Sequence, residues 1–244
     1  MHYQVDTLKN CGDNLEKLRS LSKASWPKFM LHGEMPSWDK LYTELADFVL
    51  LLMDADGELA AAGFTIPVFW NGKIDDLPET IEAIIVNGLT TAPNHRNTLM
   101  AVAVLVDRRY RGQNLSGETL KQMKNLAKYH GFRDLLVPVR PTWKARYPLQ
   151  SIESYSDWRR PDGLLYDPWL RTHERLGAKV VQCVQSTYTV EGTIDDWQIW
   201  TGLIFPESGR YIVEGALAPV TIDVAADSGV YHDPNVWMRH RVLS

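Results

Sequence analysis

Ala101-Val-Ala-Val-Leu-Val-Asp-Arg-Arg-Tyr-Arg-Gly-Gln-Asn-Leu-Ser116 passes from an apolar, β-branched stretch into a turn of arginine, glycine, asparagine and serine. The apolar part, Leu99 to Val106, suits a central strand buried on both faces. An amphipathic helix is expected over Gly117 to Tyr129, with Leu120, Met123 and Leu126 spaced by three and Gly131 as its stop. A strand that runs into a helix start leaves the first helical amides without internal partners. Together with the helix dipole, those amides form a site for a pyrophosphate. Arg108, Arg109 and Arg111 add positive charge nearby. Taken alone, these residues fit a phosphate-binding turn and a plain strand–helix connection about equally well.

The flanking segments extend the pattern. Arg133 to Val139 reads as the next strand, parallel to the first, with the helix between them as crossover. Upstream, Asp13 is placed to cap a helix carrying Leu15, Leu18 and Leu21 towards Ser25. A short helix is expected over Ser37 to Leu45. Phe48 to Met53 and Glu58 to Phe69 form a hairpin about the Asp54-Ala-Asp-Gly57 turn. Pro78 to Thr91 is helical, with Ile81, Ile84, Ile85 and Leu89 on one face. Downstream, Pro141 to Tyr166 is long and irregular, a kind of loop that is often functional. Asp167-Pro168 opens a helix that Gly177 ends. A strand over Val180 to Val190, a helix over Ile194 to Thr201 and two or three further strands complete the chain. No repeat, low-complexity tract or boundary divides it, so residues 1–244 read as one α/β domain with a mixed sheet.

Composition narrows the function. Of 244 residues, 45% are hydrophobic and 23% charged, which excludes a disordered or fibrous chain. The net charge of −4 gives no basic field for nucleic acid or anionic lipid. The Leu99 to Val106 run falls far short of the roughly 20 apolar residues that span a bilayer. Met1 to Asn10 lacks a secretory pattern, so a soluble, cytoplasmic protein is expected. Cys11, Cys183, His32 and His95 show no metal-ligand spacing, and no Gly-x-Ser-x-Gly elbow occurs.

Val106-Asp-Arg-Arg-Tyr-Arg-Gly-Gln-Asn-Leu-Ser116 resembles motif A of the GNAT acyltransferase superfamily, Val-x-x-x-Tyr-Arg-Gly-x-Gly-x-Gly. Asn114 and Ser116 stand where that motif has glycines; both keep their amides, and Asn tolerates unusual backbone angles. Thr172-His-Glu-Arg-Leu-Gly177-Ala is similar to the superfamily's Tyr-Glu-Lys-Leu-Gly-Phe ending of a late helix, with His173 at the position of its acid. Val139-Arg-Pro-Thr142-Trp-Lys144, Leu165-Tyr-Asp-Pro-Trp-Leu170, Gly215-Ala-Leu-Ala-Pro-Val220 and Pro234-Asn-Val-Trp237 resemble the GNAT-like initiation domains of polyketide synthases, such as those of the curacin and saxitoxin pathways.

The resemblance implies a GNAT-type acyl-CoA acyltransferase fold whose sheet splays at the thioester. It implies coenzyme A or phosphopantetheine as substrate carrier, with no tightly bound cofactor and no metal. Amides within Arg111, Gly112, Gln113, Asn114, Leu115 and Ser116 would hold the pyrophosphate, and the pantetheine arm would run beside Val104 and Val106. The implied reaction is decarboxylation of a malonyl or methylmalonyl thioester, with His173 and Thr142 at the reacting group and an acyl carrier protein as partner. Decarboxylation builds negative charge on the thioester oxygen, so placed donors are what it needs. Lys121, Lys124 and Lys128, on the polar side of the helix, fit either a solvated face or a surface for an acidic carrier. Two other functions stay open: acyl-CoA-dependent transfer to a small amine or a carrier thiol, and acyl-thioester binding without turnover. Transfer to an amine needs a general base at a polar acceptor pocket, and the sequence singles out none. Read alone, an inward histidine is more often structural, and Thr142 could serve only a turn after Pro141.

Overall fold

The computed structural model describes residues 3–243. β1 (Gln4–Thr7) leads through α1 (Leu15–Ser25) and α2 (Lys40–Thr43) to β2 (Val49–Met53), β3 (Leu59–Val68) and α3 (Ile81–Thr90). β4 (Thr98–Val106), α4 (Leu115–Tyr129) and β5 (Asp134–Val139) follow as a crossover unit. A long connection carrying α5 (Ile152–Ser156) reaches α6 (Pro168–Arg175). β6 (Lys179–Gly192), α7 (Ile194–Thr201), β7 (Gly209–Tyr211), β8 (Val220–Asp223) and β9 (Ser228–Arg241) close the chain. Among the described residues, all nine strands form one mixed sheet in the order β1-β2-β3-β4-β5-β9-β8-β7, with β6 also paired to β9.

The mixed α/β architecture agrees with the expected fold class. β4 and β5 are parallel and α4 crosses between them. The faces bury different partners. Leu120, Met123 and Ala127 of α4 pack on Leu99, Ala101, Leu135 and Val137. Leu18, Leu41, Ile84 and Ile85 from α1, α2 and α3 pack on Leu51, Phe64 and Met100. Burying each such side chain contributes about 1.5–3 kcal/mol before conformational entropy is counted. Gly63 permits the close approach of α4, because a Cβ there would lie 2.6 Å from the Met123 methyl.

Three local expectations change. Asp13 lies in a 3-10 turn, and Asn14 precedes α1 without a side-chain cap bond. The helix expected over Ser37 to Leu45 contracts to Lys40–Thr43, because the chain turns again at Ala46–Phe48 to enter β2. β1 is a strand that its four residues do not announce; pairing with β2 makes it one.

Two irregularities in β4 shape the centre of the sheet. Its pairing with β5 covers only Thr98, Leu99 and Met100, after which the strands part. Opposite β3, Ala101 pairs with Thr65 and Ala103 with Phe64, so Val102 is an unpaired bulge residue. A bulge bends its strand and shifts the side-chain alternation by one. Leu99, Ala101 and Val104 therefore face the α4 side, while Met100, Ala103 and Leu105 face the other.

Candidate active site

The turn before α4 adopts the conformation that the glycine-like motif demands. Gly112 has φ +83° and Asn114 has φ +58°, the left-handed region that asparagine tolerates. Asn114 makes no side-chain cap bond, and the amides of Leu115, Ser116 and Gly117 have no hydrogen-bond acceptor among the described residues. These donors open a 15-residue helix, so the dipole and the free amides act together. Arg109 is engaged with Asp107 at 3.1 Å and Glu58 at 3.8 Å. Arg108 and Arg111 are the exposed cations left beside the turn. Gln113 accepts a bond from the Tyr3 hydroxyl at 2.9 Å. The Leu115 side chain is buried with Leu52, Ala60 and Ala61, so only its amide faces outward.

Where β4 and β5 part, a cavity of about 290 Å³ opens between α4 and α6. Val104, Ser116, Thr142 and His173 all line it, together with Val102 and Trp169. Val106 does not. It borders a separate groove with Arg108, Arg109 and Arg111, against α1. Strand geometry gives the reason: two residues further along β4 is about 7 Å closer to the turn. The two valines expected beside the pantetheine arm therefore border different spaces, Val104 the cleft and Val106 the groove at the turn.

One carboxylate holds both ends of the cleft in place. Asp167 is buried, and its Oδ1 accepts the amides of Trp169 at 2.9 Å and Leu170 at 3.2 Å, capping α6. The same oxygen accepts the Thr142 amide at 3.3 Å. Its Oδ2 accepts the Trp143 amide at 2.7 Å and the Tyr155 hydroxyl at 2.9 Å. α6 then carries His173 inward, and Gly177 ends the turn at φ +89°. The loop is pinned again by Lys144, whose buried ammonium donates to the carbonyls of Tyr147 at 2.9 Å and Leu217 at 2.7 Å. Burial lowers the Lys144 pKa to about 8. Thr142 itself is exposed, and its hydroxyl makes no hydrogen bond among the described residues.

His173 is fully buried and does not bond to backbone. Its Nδ1 lies 2.9 Å from Nε2 of His240 on β9. Burial, and then the neighbouring His240, pull the His173 pKa well below 6.5. Burial, and then the charge of Lys124, lower His240 to about 4. Both rings are therefore neutral near pH 7. Among the described residues, His173 Nε2 has no hydrogen-bond partner.

A second chamber, of about 380 Å³, lies across the splayed strands. Trp26, Val102, Pro138 and Arg140 line both spaces, so the two meet at the bulge. Arg140 is held by Asp233, with Nε donating to Oδ1 at 3.0 Å, and by the Gly215 carbonyl at 2.7 Å. Asp233 also accepts from the Tyr231 hydroxyl at 2.5 Å and from Asn235 at 3.1 Å. Asp39 and Arg19 stand on the rim, and Tyr188 and Asp233 inside complete a polar and aromatic lining.

His240, Asp233 and Tyr188 have no sequence signal: their roles come from the register of β6 and β9. The lysine surface is only partly free. Lys121 pairs with Glu118 at 3.3 Å, and Lys124 donates to the Leu176 carbonyl at 2.7 Å. Among the described residues no group of three or more His, Cys, Asp or Glu could hold a metal, and no helix is long and apolar enough to cross a membrane.

No protein-family model matches the chain. It is 31% identical over 251 residues to the arginine N-acetyltransferase avaD of Aspergillus versicolor, an overlap of 89% of this chain and 85% of that protein. Its structure is similar to the loading GNATL domain of CurA from Lyngbya majuscula, with TM-score 0.68 at 15% identity over 99% of this chain and 98% of that one. It is also similar to the GphF GNAT-like decarboxylase in complex with isobutyryl-CoA, with TM-score 0.62 at 15% identity over the whole of both chains. At 15% identity these two structures report on the fold.

Proposed function

Because the chain belongs to the GNAT superfamily, we propose that it transfers an acyl group from coenzyme A to the nitrogen of a small amine or guanidine, with arginine the first acceptor to test. The observation that carries this reading is the pair of chambers meeting at Val102. A bimolecular transfer needs two substrates brought to one point from different sides, and decarboxylation of a thioester needs only one.

The parts then act in order. The free amides at Leu115, Ser116 and Gly117 hold the pyrophosphate, with Arg108 and Arg111 beside them. The thioester lies in the cleft along Val104, where β4 beyond Met100 lacks a partner on the β5 side and offers its backbone edge. The acceptor enters from the Trp26 and Arg140 side. Its nitrogen attacks the thioester carbonyl carbon, the C–S bond breaks, and coenzyme A departs. One proton leaves the nitrogen and one reaches the sulfur. His173 lines the reacting end of the cleft, and the Thr142 hydroxyl is a donor for the developing oxyanion.

A second reading is decarboxylation of a malonyl or methylmalonyl thioester, on coenzyme A or an acyl carrier protein, to leave an acetyl or propionyl starter. What favours it is the placement of His173 and Thr142 on one cleft. One experiment separates the two. Purified protein is incubated with acetyl-CoA plus arginine or other small amines, and separately with malonyl-CoA, methylmalonyl-CoA and their carrier-bound forms. Products are read by mass spectrometry. Acylated amine with thiol release supports transfer. Carbon dioxide release without an acceptor, and no acylated amine, overturns it in favour of decarboxylation. Binding of acyl-CoA without either product overturns both.

A further inference from the structure

Arg140 stands where the two chambers meet. It follows β5 directly and lines both spaces. Among the described residues that line the thioester cleft, it is the one formal charge. A guanidinium carries five N–H donors. Nε is engaged by Asp233, 3.0 and 3.2 Å from its two oxygens, and Nη2 donates to the Gly215 carbonyl at 2.7 Å. Nη1, with two donors, has no hydrogen-bond partner among the described residues. It is not a sealed atom either, for the side chain keeps 22% of its surface open.

The ion pair with Asp233 orients this group without covering it. Both Asp233 oxygens are engaged elsewhere as well, Oδ1 by the Tyr231 hydroxyl at 2.5 Å and Oδ2 by Asn235 at 3.1 Å. The guanidinium is thus fixed on one side and free at Nη1. The charge of the second chamber points the same way. Arg19, Lys23 and Arg140 line it against two carboxylates, Asp39 and Asp233. Arg19 lies 3.8 Å from Asp39, and Lys23 has no ion-pair partner among the described residues. One positive charge is left over, which suits an anionic group on the ligand.

We propose that Arg140 is the carboxylate-binding residue of the acceptor chamber, and that the acceptor is an amino acid rather than the corresponding decarboxylated amine. This deepens the transfer reading and rests on it. The two Nη1 donors take the carboxylate in charge-assisted bonds, which are about twice as strong as neutral ones. Because Asp233 and Gly215 already hold the guanidinium, little side-chain freedom is lost on binding. A carboxylate held there docks the acceptor at the junction, beside the thioester. The carboxylate of a malonyl thioester is the other group of the same chemistry that can reach Nη1, from the cleft side.

The test is calorimetric binding to protein saturated with coenzyme A, so that no turnover is needed. Arginine, lysine and tyrosine are each compared with the amide (argininamide, lysinamide, tyrosinamide) and with the decarboxylated amine (agmatine, cadaverine, tyramine). At least one amino acid should bind about tenfold or more tightly than its amide and its amine, the scale of a hydrogen bond to a charged group. Arg140→Lys keeps a cation against Asp233 and removes Nη1. It should cut that preference to about threefold or less, with the amide affinity changing far less. Lys23→Gln, at an exposed site, should keep the preference. Equal affinities of acid and amide throughout the wild-type panel overturn the proposal. So does a preference undiminished in folded Arg140→Lys, or one lost in Lys23→Gln. Malonyl-CoA and acetyl-CoA form the second arm. Tighter binding of malonyl-CoA that depends on Arg140, with no preference in the amino-acid panel, overturns the acceptor assignment and places the carboxylate on the acyl group. Carboxylate-selective binding through Arg140 with no acylated product counts against the transfer reading alone.

Discussion

Replacing Asp167 tests whether the cleft is assembled by one carboxylate. In Asp167→Ala, the α6 cap is lost, which costs about 1 kcal/mol. The short Trp143 amide bond at 2.7 Å goes to a charged acceptor and contributes about 1.5–2 kcal/mol. The buried Tyr155 hydroxyl loses its partner at a cost of about 1 kcal/mol. The Thr142 amide, at 3.3 Å, adds little. Together the loss is about 4 kcal/mol. At about 2–4 °C per kcal/mol for a chain of this size, the melting temperature should drop by about 8–16 °C. Asp167→Asn keeps a carbonyl for the cap, and Tyr155 can turn to accept from the new amide. The Trp143 bond is then the main loss, about 2 kcal/mol. Urea unfolding followed by tryptophan fluorescence measures both, and the m-value should stay constant. The folded Asn variant should also turn over more slowly with unchanged acyl-CoA affinity, because Thr142 and His173 loosen while the turn at Arg111 to Ser116 does not. If Asp167→Ala unfolds within about 1 kcal/mol of wild type, the carboxylate is not what organises the site.

Asn114 has φ +58°, which proline cannot adopt, so Asn114→Pro should weaken acyl-CoA binding at least about tenfold while Asn114→Gly keeps it; equal calorimetric affinities for the two would remove the turn from the site. His173→Ala should slow turnover about 100-fold, and Thr142→Val about 10- to 100-fold, with acyl-CoA affinity retained; wild-type rates in either folded variant would make that residue structural. Acid should weaken the fold through the histidine pair. Unfolded, both rings gain protons near pH 6.5, whereas in the native state His240 does so only near 4 and His173 well below 6.5. The unfolded chain binds more protons in that window, so stability present above pH 6.5 falls as the pH drops towards 4, by about 3 kcal/mol for His240. Urea unfolding at several pH values should show a shallower slope for His240→Gln than for wild type, and parallel slopes would contradict the neutral pair.

Local rules made much of this protein legible in its sequence. The apolar run into an arginine–glycine turn marked β4, α4 and the unpaired amides at the start of α4, because strand burial and helix starts depend on near neighbours. Asp167-Pro168 and Gly177 likewise bounded α6, since capping is a matter of a few residues, and its apolar face turned His173 inward. The same locality set the limits. Asp167 looked like a helix cap and proved also to hold Thr142, Trp143 and Tyr155, contacts that no spacing encodes. The second chamber arises from the parting of β4 and β5 and from the bulge at Val102, both properties of pairing between distant strands. His240 meets His173 across 67 residues, because β9 lies beside β5 in the sheet. Sequence alone set most of the elements and the turn that opens α4. Tertiary structure decided which side chains line the cleft, since strand register brings together groups whose separation along the chain carries no physical constraint.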